Sequence, residues 1–520
     1  MTSSVAGFVS GLVRPAAGLR YSPSIKGSVG GVKFFVASDI YVRFCGLPAR
    51  LSRQKTQDGT VANRGGGLGT RSFWNKRNHG FKLADVTAFE SEIERRLAEI
   101  RQRGLHRGLR RIDGIAGTRV AISGRFVLNC CSNDYLGLAG HPEVVEAALK
   151  ATKDYGSGSR ASRSICGSLA LHHALEEALA EFENTEAALS FSSGYTTAIS
   201  TIPALVGPGD VVVLDKLAHG CHVDGARLSG AKLRVYPHND LERLEEILAW
   251  AAQRAQGTSP SNRPRTLIIT ESVFSMDGDH APLRELVDLK DRYGAWLMVD
   301  EAHATGLYGP RRTGLAEELG VAERIEVRMG TLGKALGSAG GYICGTASLI
   351  EYLVNKARSF MFSTAPPPSA AGAAMAAVRV VASEEGRRLC DRVWANATAV
   401  VSQLRPGVQK SGIPGGPTAA SSLIIPLIIG DELRAVEVAN ALFERGIFIP
   451  AVRFPTVPRG SARLRLTMTA AHTESDVAEL LAGLRSVGLI EGQCGSEASE
   501  TVVGNLSPAH LHTDAPTCAA

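Results

Sequence analysis

The 520-residue sequence has nine cysteines but no CxxC pair among them. Paired thiolates at that spacing commonly open a structural zinc site, so their absence argues against one. No uninterrupted apolar run approaches the roughly 20 residues of a membrane span. No charged start followed by an apolar core marks a secretory signal, so reduced thiols are the default. Internal repeats are also missing. Strong net charge is lacking too: 57 basic against 51 acidic residues leave +6. Much of that excess lies near the N-terminus, which is weak support for a nucleic-acid partner. What is present is ordinary for a soluble globular protein of two or more domains: 44% apolar and 21% charged residues.

Acidic residues are nearly absent at the start. Up to Lys55 the only one is Asp39, while Ser and Gly are frequent and Gly65–Gly67 form a glycine run. Arg-rich, Ser-rich, acid-poor starts resemble organellar transit peptides, so residues 1–80 are expected to be a targeting extension, mitochondrial ahead of plastid. A disordered tail is the plain alternative. Residues 81–130 are expected to hold a charged helix, Val86 to Arg103, with Phe89, Ile93, Leu97 and Ile100 at helical spacing. An arginine cluster (Arg107, Arg110, Arg111) and a hairpin around Ser123-Gly124 follow. Residues 491–520 show no periodicity and are expected to be disordered.

Between these ends the rhythm is strand, polar loop, helix. Short apolar runs at Ala187–Phe191, Val211–Leu214, Leu233–Tyr236, Thr266–Thr270 and Trp296–Val299 alternate with helical patterns. That argues an α/β domain over residues 131–370, with a mostly parallel sheet flanked by helices. Residues 371–490 read as a smaller α+β domain. Ligands of such sheets gather at the carboxyl ends of the strands, and the polar motifs stand there. They are Ser-Gly-Tyr-Thr at Ser193–Thr196, Asp-x-Leu-x-His ending at His219, Glu-x-Val-x-Ser-Met-Asp-Gly from Glu271, and Asp-x-Ala-His at Asp300–His303; a glycine-rich turn, Gly-Thr-x-Gly-Lys ending at Lys334, comes next in the chain.

Pyridoxal phosphate asks for a lysine to take its aldehyde, an anion for its ring nitrogen, a phosphate cradle and a flat group against the ring. Lys334 sits among small residues and can be that lysine. Asp300 can pair with the ring nitrogen, and His303 can reach the phenolic oxygen. Gly194, Tyr195 and Thr196 open a helix, whose free N–H groups suit phosphate, and Thr331 can add a hydroxyl. His219 can stack on the ring. Each residue alone has a plain reading: a helix cap for Asp300, a structural imidazole for either histidine, a surface turn for Lys334. The ordered set is stronger than any member.

That order and wording resembles the fold-type I pyridoxal-phosphate enzymes of the α-oxoamine synthase family, from about Val86 to Leu489. The resemblance implies condensation of an amino acid with an acyl-CoA and loss of CO2. It implies that Lys334 also moves the Cα proton, with His219 and Asp300 as its catalytic partners. Ser275, His303 and Thr331 would touch the cofactor, and Thr364 the phosphate of a neighbouring subunit, in a homodimer that shares its sites. The stretch Ala451 to His472 narrows the resemblance to the member that joins L-alanine to pimeloyl-CoA, or a pimeloyl carrier protein, in biotin synthesis. By that likeness Arg465 would hold the amino-acid carboxylate with Asn133, and Arg110, Arg453 and Thr456 would line the acyl path. Gly220-Cys221 and Phe454 depart from the expected wording. Glycine C-acetyltransferase, 5-aminolevulinate synthase and serine palmitoyltransferase-like readings stay open, as does a non-catalytic partner subunit, which the presence of Lys334 disfavours.

Overall fold

The computed structural model describes residues 87–103, 105–259, 263–405 and 420–490. The expected targeting extension and C-terminal tail lie outside the described residues. The first element is the helix Ala88–Gln102, started by Thr87 and Glu90, each accepting the other's backbone N–H. It buries no side chain, and Phe89 is 73% exposed. Three short antiparallel strands follow: β1 (Ile112–Ala116), β2 (Arg119–Ile122) and β3 (Arg125–Asn129). The β2–β3 turn is the expected one at Ser123-Gly124, both in left-handed backbone.

Seven strands build the central sheet: β4 (Ala187–Phe191), β5 (Val211–Asp215), β6 (Lys232–Tyr236), β7 (Thr266–Glu271), β8 (Trp296–Asp300), β9 (Val327–Thr331) and β10 (Gly341–Gly345). Their order is β4-β10-β9-β8-β7-β5-β6, and β10 runs opposite to the other six. Along β5, Val211 and Val213 join the core on one face, and Val212 and Leu214 join the core on the other. Helices cover both faces, so the strands read as continuous apolar runs rather than as an alternation. Strand β9 was not expected. Its sequence, Val-Arg-Met-Gly-Thr, carries an arginine and a glycine and reads as a turn. The structure buries Arg328, whose guanidinium lies 3.5 Å from the buried Glu183 carboxylate.

The C-terminal unit holds β11 (Ile424–Gly430), β13 (Ala451–Val452) and β14 (Ala462–Thr467) in one antiparallel sheet, with the helices Glu432–Glu444 and Glu474–Ser486. Strand β12 (Ile447–Phe448) pairs in parallel with β3 rather than with its own unit. The segment before residue 130 is therefore stitched to the C-terminal unit. One continuous core runs from the central sheet through Leu464 and Leu466.

Because six strands run the same way, the polar loops after β4, β5, β7, β8 and β9 meet at one edge. His238 fastens part of that edge. Its Nδ1 lies 3.0 Å from Asp215 at the end of β5, and its Nε2 lies 2.6 Å from Asp279 in the loop after β7. Burial opposes the imidazolium, but the two carboxylates outweigh it and push the pKa up to about 10. A raised folded pKa means that this stabilisation is fully present below the unfolded value of about 6.5 and is lost as pH rises through about 10. His238→Gln is therefore expected to lower the thermal midpoint more at pH 6 than at pH 10.5. Equal losses at the two pH values would show that the pair contributes no charge-dependent stability.

Candidate active site

Lys334 stands in the loop from β9 to β10. That loop is closed by Leu332 N–H to the Gly340 carbonyl (3.0 Å), Ser338 N–H to Leu332 (2.8 Å) and Gly337 N–H to Lys334 (2.8 Å). Gly337 has φ +58°, and a Cβ there would lie 2.3 Å from the Ala139 nitrogen. Glycine is thus required by the packing of this loop against the chain near Leu138. The Lys334 Nζ lies 2.8 Å from His303 Nε2. Burial lowers the lysine's pKa, against the pull of Asp300 and Glu271, which raises it. A larger neutral fraction is what an attacking amine needs.

His303 is held from its other side by the Tyr135 hydroxyl, 2.7 Å from Nδ1. Burial, then the charges of Lys334 and Arg465, hold its pKa well below the usual histidine value. The ring is neutral and carries a single proton. While Lys334 is an ammonium it can only donate, so in that state Nε2 accepts and Nδ1–H donates to Tyr135.

Asp300 ends β8 almost fully buried. Its Oδ1 accepts the Ala302 N–H at 2.9 Å, and its Oδ2 lies 3.2 Å from His222 Nε2. Burial pushes its pKa up, but His222 and Lys334 outweigh this, and the carboxyl stays below its ordinary value. Beside it in register is Glu271, the last residue of β7. Burial, then the charge of Asp300, push Glu271 up to about 7, and its Oε1 has no hydrogen-bond partner among the described residues. His219 caps the helix Gly220–Ser229. Its Nδ1 accepts the Cys221 N–H at 3.3 Å, with the Cys221 sulfur 3.0 Å away, which leaves the proton on Nε2. Cys221, His222 and Asp300 also offer donor atoms within 4.8 Å of one another. Asp300 and Cys221 already have the partners just named.

The helix Gly194–Leu205 begins one residue beyond Ser193, which caps it through the Thr196 N–H at 3.1 Å. The N–H groups of Gly194 and Tyr195 precede its hydrogen-bond ladder and are free for an anion. A Cβ on Gly341 would lie 2.8 Å from the Gly194 nitrogen, so only glycine leaves this helix start in place. The Thr331 side chain lies beside Gly194 and donates to the Gly340 carbonyl at 3.1 Å. The Tyr195 hydroxyl turns away to Asp224, so this residue offers the site its backbone.

Strand β14 alternates Arg463 and Arg465 with Leu464 and Leu466, which puts both guanidinium groups on one side. Arg465 donates to the Ser275 carbonyl (2.7 Å), Asn133 Oδ1 (3.1 Å) and the Tyr135 hydroxyl (3.5 Å). Arg463 bonds Asp277 in the same loop. The structure thus gathers Lys334, His303, Asp300, Arg465, Asn133 and Ser275. It separates others. Arg110 lies 5.2 Å over the Phe443 and Phe448 rings, while its neighbour Arg107 donates to Thr456 at 3.2 Å. Arg453 offers Thr456 its carbonyl, and Thr364 is exposed. Tyr135, His222 and Glu271 are site residues that sequence reasoning missed.

Residues 125–484 match the family model for aminotransferase class I and II. The chain belongs to this family. Within it the resemblance to α-oxoamine synthases holds. An 8-amino-7-oxononanoate synthase of Geobacter sulfurreducens is 46% identical over 392 residues, covering 75% of this chain and 96% of the relative. One from an Anaeromyxobacter strain is 48% identical over 400 residues, covering 77% and 96%. Among solved structures, serine palmitoyltransferase from S. paucimobilis with a bound PLP–myriocin aldimine matches with TM-score 0.68 and 28% identity, over 78% of this chain and all of that one. An 8-amino-7-oxononanoate synthase from Francisella tularensis matches with TM-score 0.56 and 26% identity, over 69% and 97%.

The cofactor of the family is pyridoxal phosphate, and the residues present fit it. An amine of lowered pKa, a buried ionised carboxylate, a helix start kept open by Gly341 and an imidazole ring at His219 converge at one edge. The unpaired Glu271 oxygen is what a polar ligand's site would leave open.

Proposed function

We propose that this enzyme joins L-alanine to pimeloyl-CoA, or to the carrier-protein thioester, and releases 8-amino-7-oxononanoate, CO2 and the thiol carrier. Relatives of that name, 42–48% identical over nearly their whole length, support the reading. The observation that carries it in the structure is the Lys334 amine, placed against a neutral His303 and within the charge of Asp300.

Pyridoxal phosphate, when bound, draws electrons from the amino acid's Cα into its ring. The chain's own residues do the rest. Asp300 keeps the ring nitrogen protonated. Arg465, held on Ser275 and Asn133, still has N–H groups for the amino-acid carboxylate. Lys334 takes the Cα proton. His219 presents Nε2–H to the acyl carbonyl as its carbon is attacked, the thiolate leaves, and the original carboxylate departs as CO2. The fold similarity to serine palmitoyltransferase favours a second reading, with serine and a long-chain acyl-CoA.

The full chain, assayed with alanine, glycine and serine against pimeloyl-, acetyl-, succinyl- and palmitoyl-CoA, is expected to prefer alanine with pimeloyl-CoA. Preference for serine with palmitoyl-CoA, or for glycine with a short acyl-CoA, would sink the assignment. In the same assay Arg465→Ala is expected to raise the KM for alanine about 10- to 100-fold, the worth of a charged hydrogen bond of about 1.5–3 kcal/mol. Lys334→Ala should abolish both activity and the visible absorbance of bound cofactor.

We also propose a homodimer that shares its sites. Thr364 is exposed, the neighbouring Phe362 is 68% exposed, and the helix Ala88–Gln102 buries none of its apolar residues. Unpartnered apolar surface of this kind marks an interface. Sedimentation should give a dimer, and a monomer with full activity would remove the shared-site reading. For the N-terminal 80 residues we propose import into an organelle, the mitochondrion first. Residues 1–80 fused to a fluorescent protein should leave the cytosol, and a cytosolic fusion would end that proposal.

A further inference from the structure

One buried group near the cofactor site has no part in the chemistry above. His222 lies one helical turn beyond His219 and is fully buried. Its Nε2 is 3.2 Å from Asp300 Oδ2, yet neither ring nitrogen makes a well-aligned hydrogen bond. An imidazole sealed from water without partners is costly. Asp300 has its own difficulty, since Glu271 stands beside it in register and is buried too. Two neighbouring carboxylates cannot both ionise at ease in a dry site.

We propose that His222 is a positioning residue, a buried cation whose pairing with Asp300 keeps that carboxylate ionised and turned toward the ring nitrogen of the cofactor. The groups facing it are few. Asp300 approaches from β8 and Cys221 from its own helix, and these two raise its pKa well above the ordinary histidine value against burial. Glu271 acts on the same carboxylate from the end of β7, and Lys334 from the loop after β9. Asp300 then meets two cations, the imidazolium on one side and the protonated ring nitrogen on the other. Ala302 N–H holds its remaining oxygen in place. His222 touches no reacting atom and acts only through Asp300. The inference rests on the cofactor and not on which acyl group the enzyme takes.

The test is reconstitution of the full chain with pyridoxal phosphate. Equilibrium dialysis gives the dissociation constant, and a pH titration gives the midpoint of the visible absorbance change of the cofactor held on Lys334. His222→Leu, which keeps the volume and removes the charge, is expected to weaken binding about tenfold, as for loss of about one pKa unit of charge interaction. It should also raise the pH midpoint, because a nearby cation that favours loss of the proton is gone. His222→Gln can still donate to Asp300, so it should recover most of the affinity while its midpoint stays raised. The proposal is overturned if His222→Leu or His222→Gln leaves the midpoint unchanged, even where affinity or the thermal midpoint falls, because that pattern belongs to packing alone. A parent protein that binds no pyridoxal phosphate would instead refute the cofactor reading.

Discussion

The site depends on keeping a carboxylate charged where water is excluded. Asp300 is almost fully buried at the end of a central strand, a position where the penalty for an unpaired charge amounts to several kcal/mol. The neighbouring polar groups bear on that penalty. Ala302 N–H takes one oxygen, His222 faces the other, and Lys334 supplies positive charge from the loop after β9. Glu271 feels the same cations, but burial and the charge of Asp300 outweigh them and push it up to about 7. The same low-dielectric setting, which opposes the charge on Asp300, also lowers the pKa of Lys334 and neutralises His303. One environment thus yields a fixed anion, a nucleophilic amine and a neutral imidazole, because each has different charged neighbours.

Topology supplies the convergence. Parallel strands bring their carboxyl ends to one edge, and β10 is the only antiparallel member of the sheet. It enters the sheet at that edge with Gly341, so the start of the helix Gly194–Leu205 can rest against it. The His238 link between Asp215 and Asp279 ties the ends of β5 and β6 to the loop carrying Ser275. Arg463 and Arg465 grip that loop from β14.

Residues that act within a short stretch of chain were legible in the sequence. Asp300 and His303 end a strand or begin the loop after one, and the apolar run before a polar motif marks such a place, while Lys334 stands out by its glycine-rich setting. Partners joined only by the fold were not legible. Tyr135 and His303 are 168 residues apart, and no local pattern relates them. Glu271 and Asp300 become a coupled pair only through the register of β7 on β8. His222 did leave a trace, since its spacing of three from His219 puts both on one side of a helix, but the short apolar-poor stretch Gly-Cys-His-Val-Asp does not announce a helix. Strand β9 was hidden by Arg328, whose buried pairing with Glu183 cannot be foreseen from the strand itself.

Arg465 shows why the substrate question is harder than the cofactor question. Its guanidinium is positioned by Ser275 and Asn133 from the large unit, while its backbone belongs to β14 of the C-terminal unit. Its usefulness for a carboxylate therefore rests on the packing of both units and on a planar fork that lysine could not reproduce. The acyl side has no comparable clamp. Arg107 reaches Thr456, and Arg110 is spent on the Phe443 and Phe448 rings. These residues lie near the surface where the hairpin β2–β3 and the C-terminal unit meet, and they share one exposed hydrogen bond rather than a buried network. Contacts of that kind are individually worth little and are easily redrawn between relatives. A fold can thus keep its lysine, aspartate and arginine fixed while its acyl group changes, so the core geometry argues for the reaction and only the rim argues for the acyl chain.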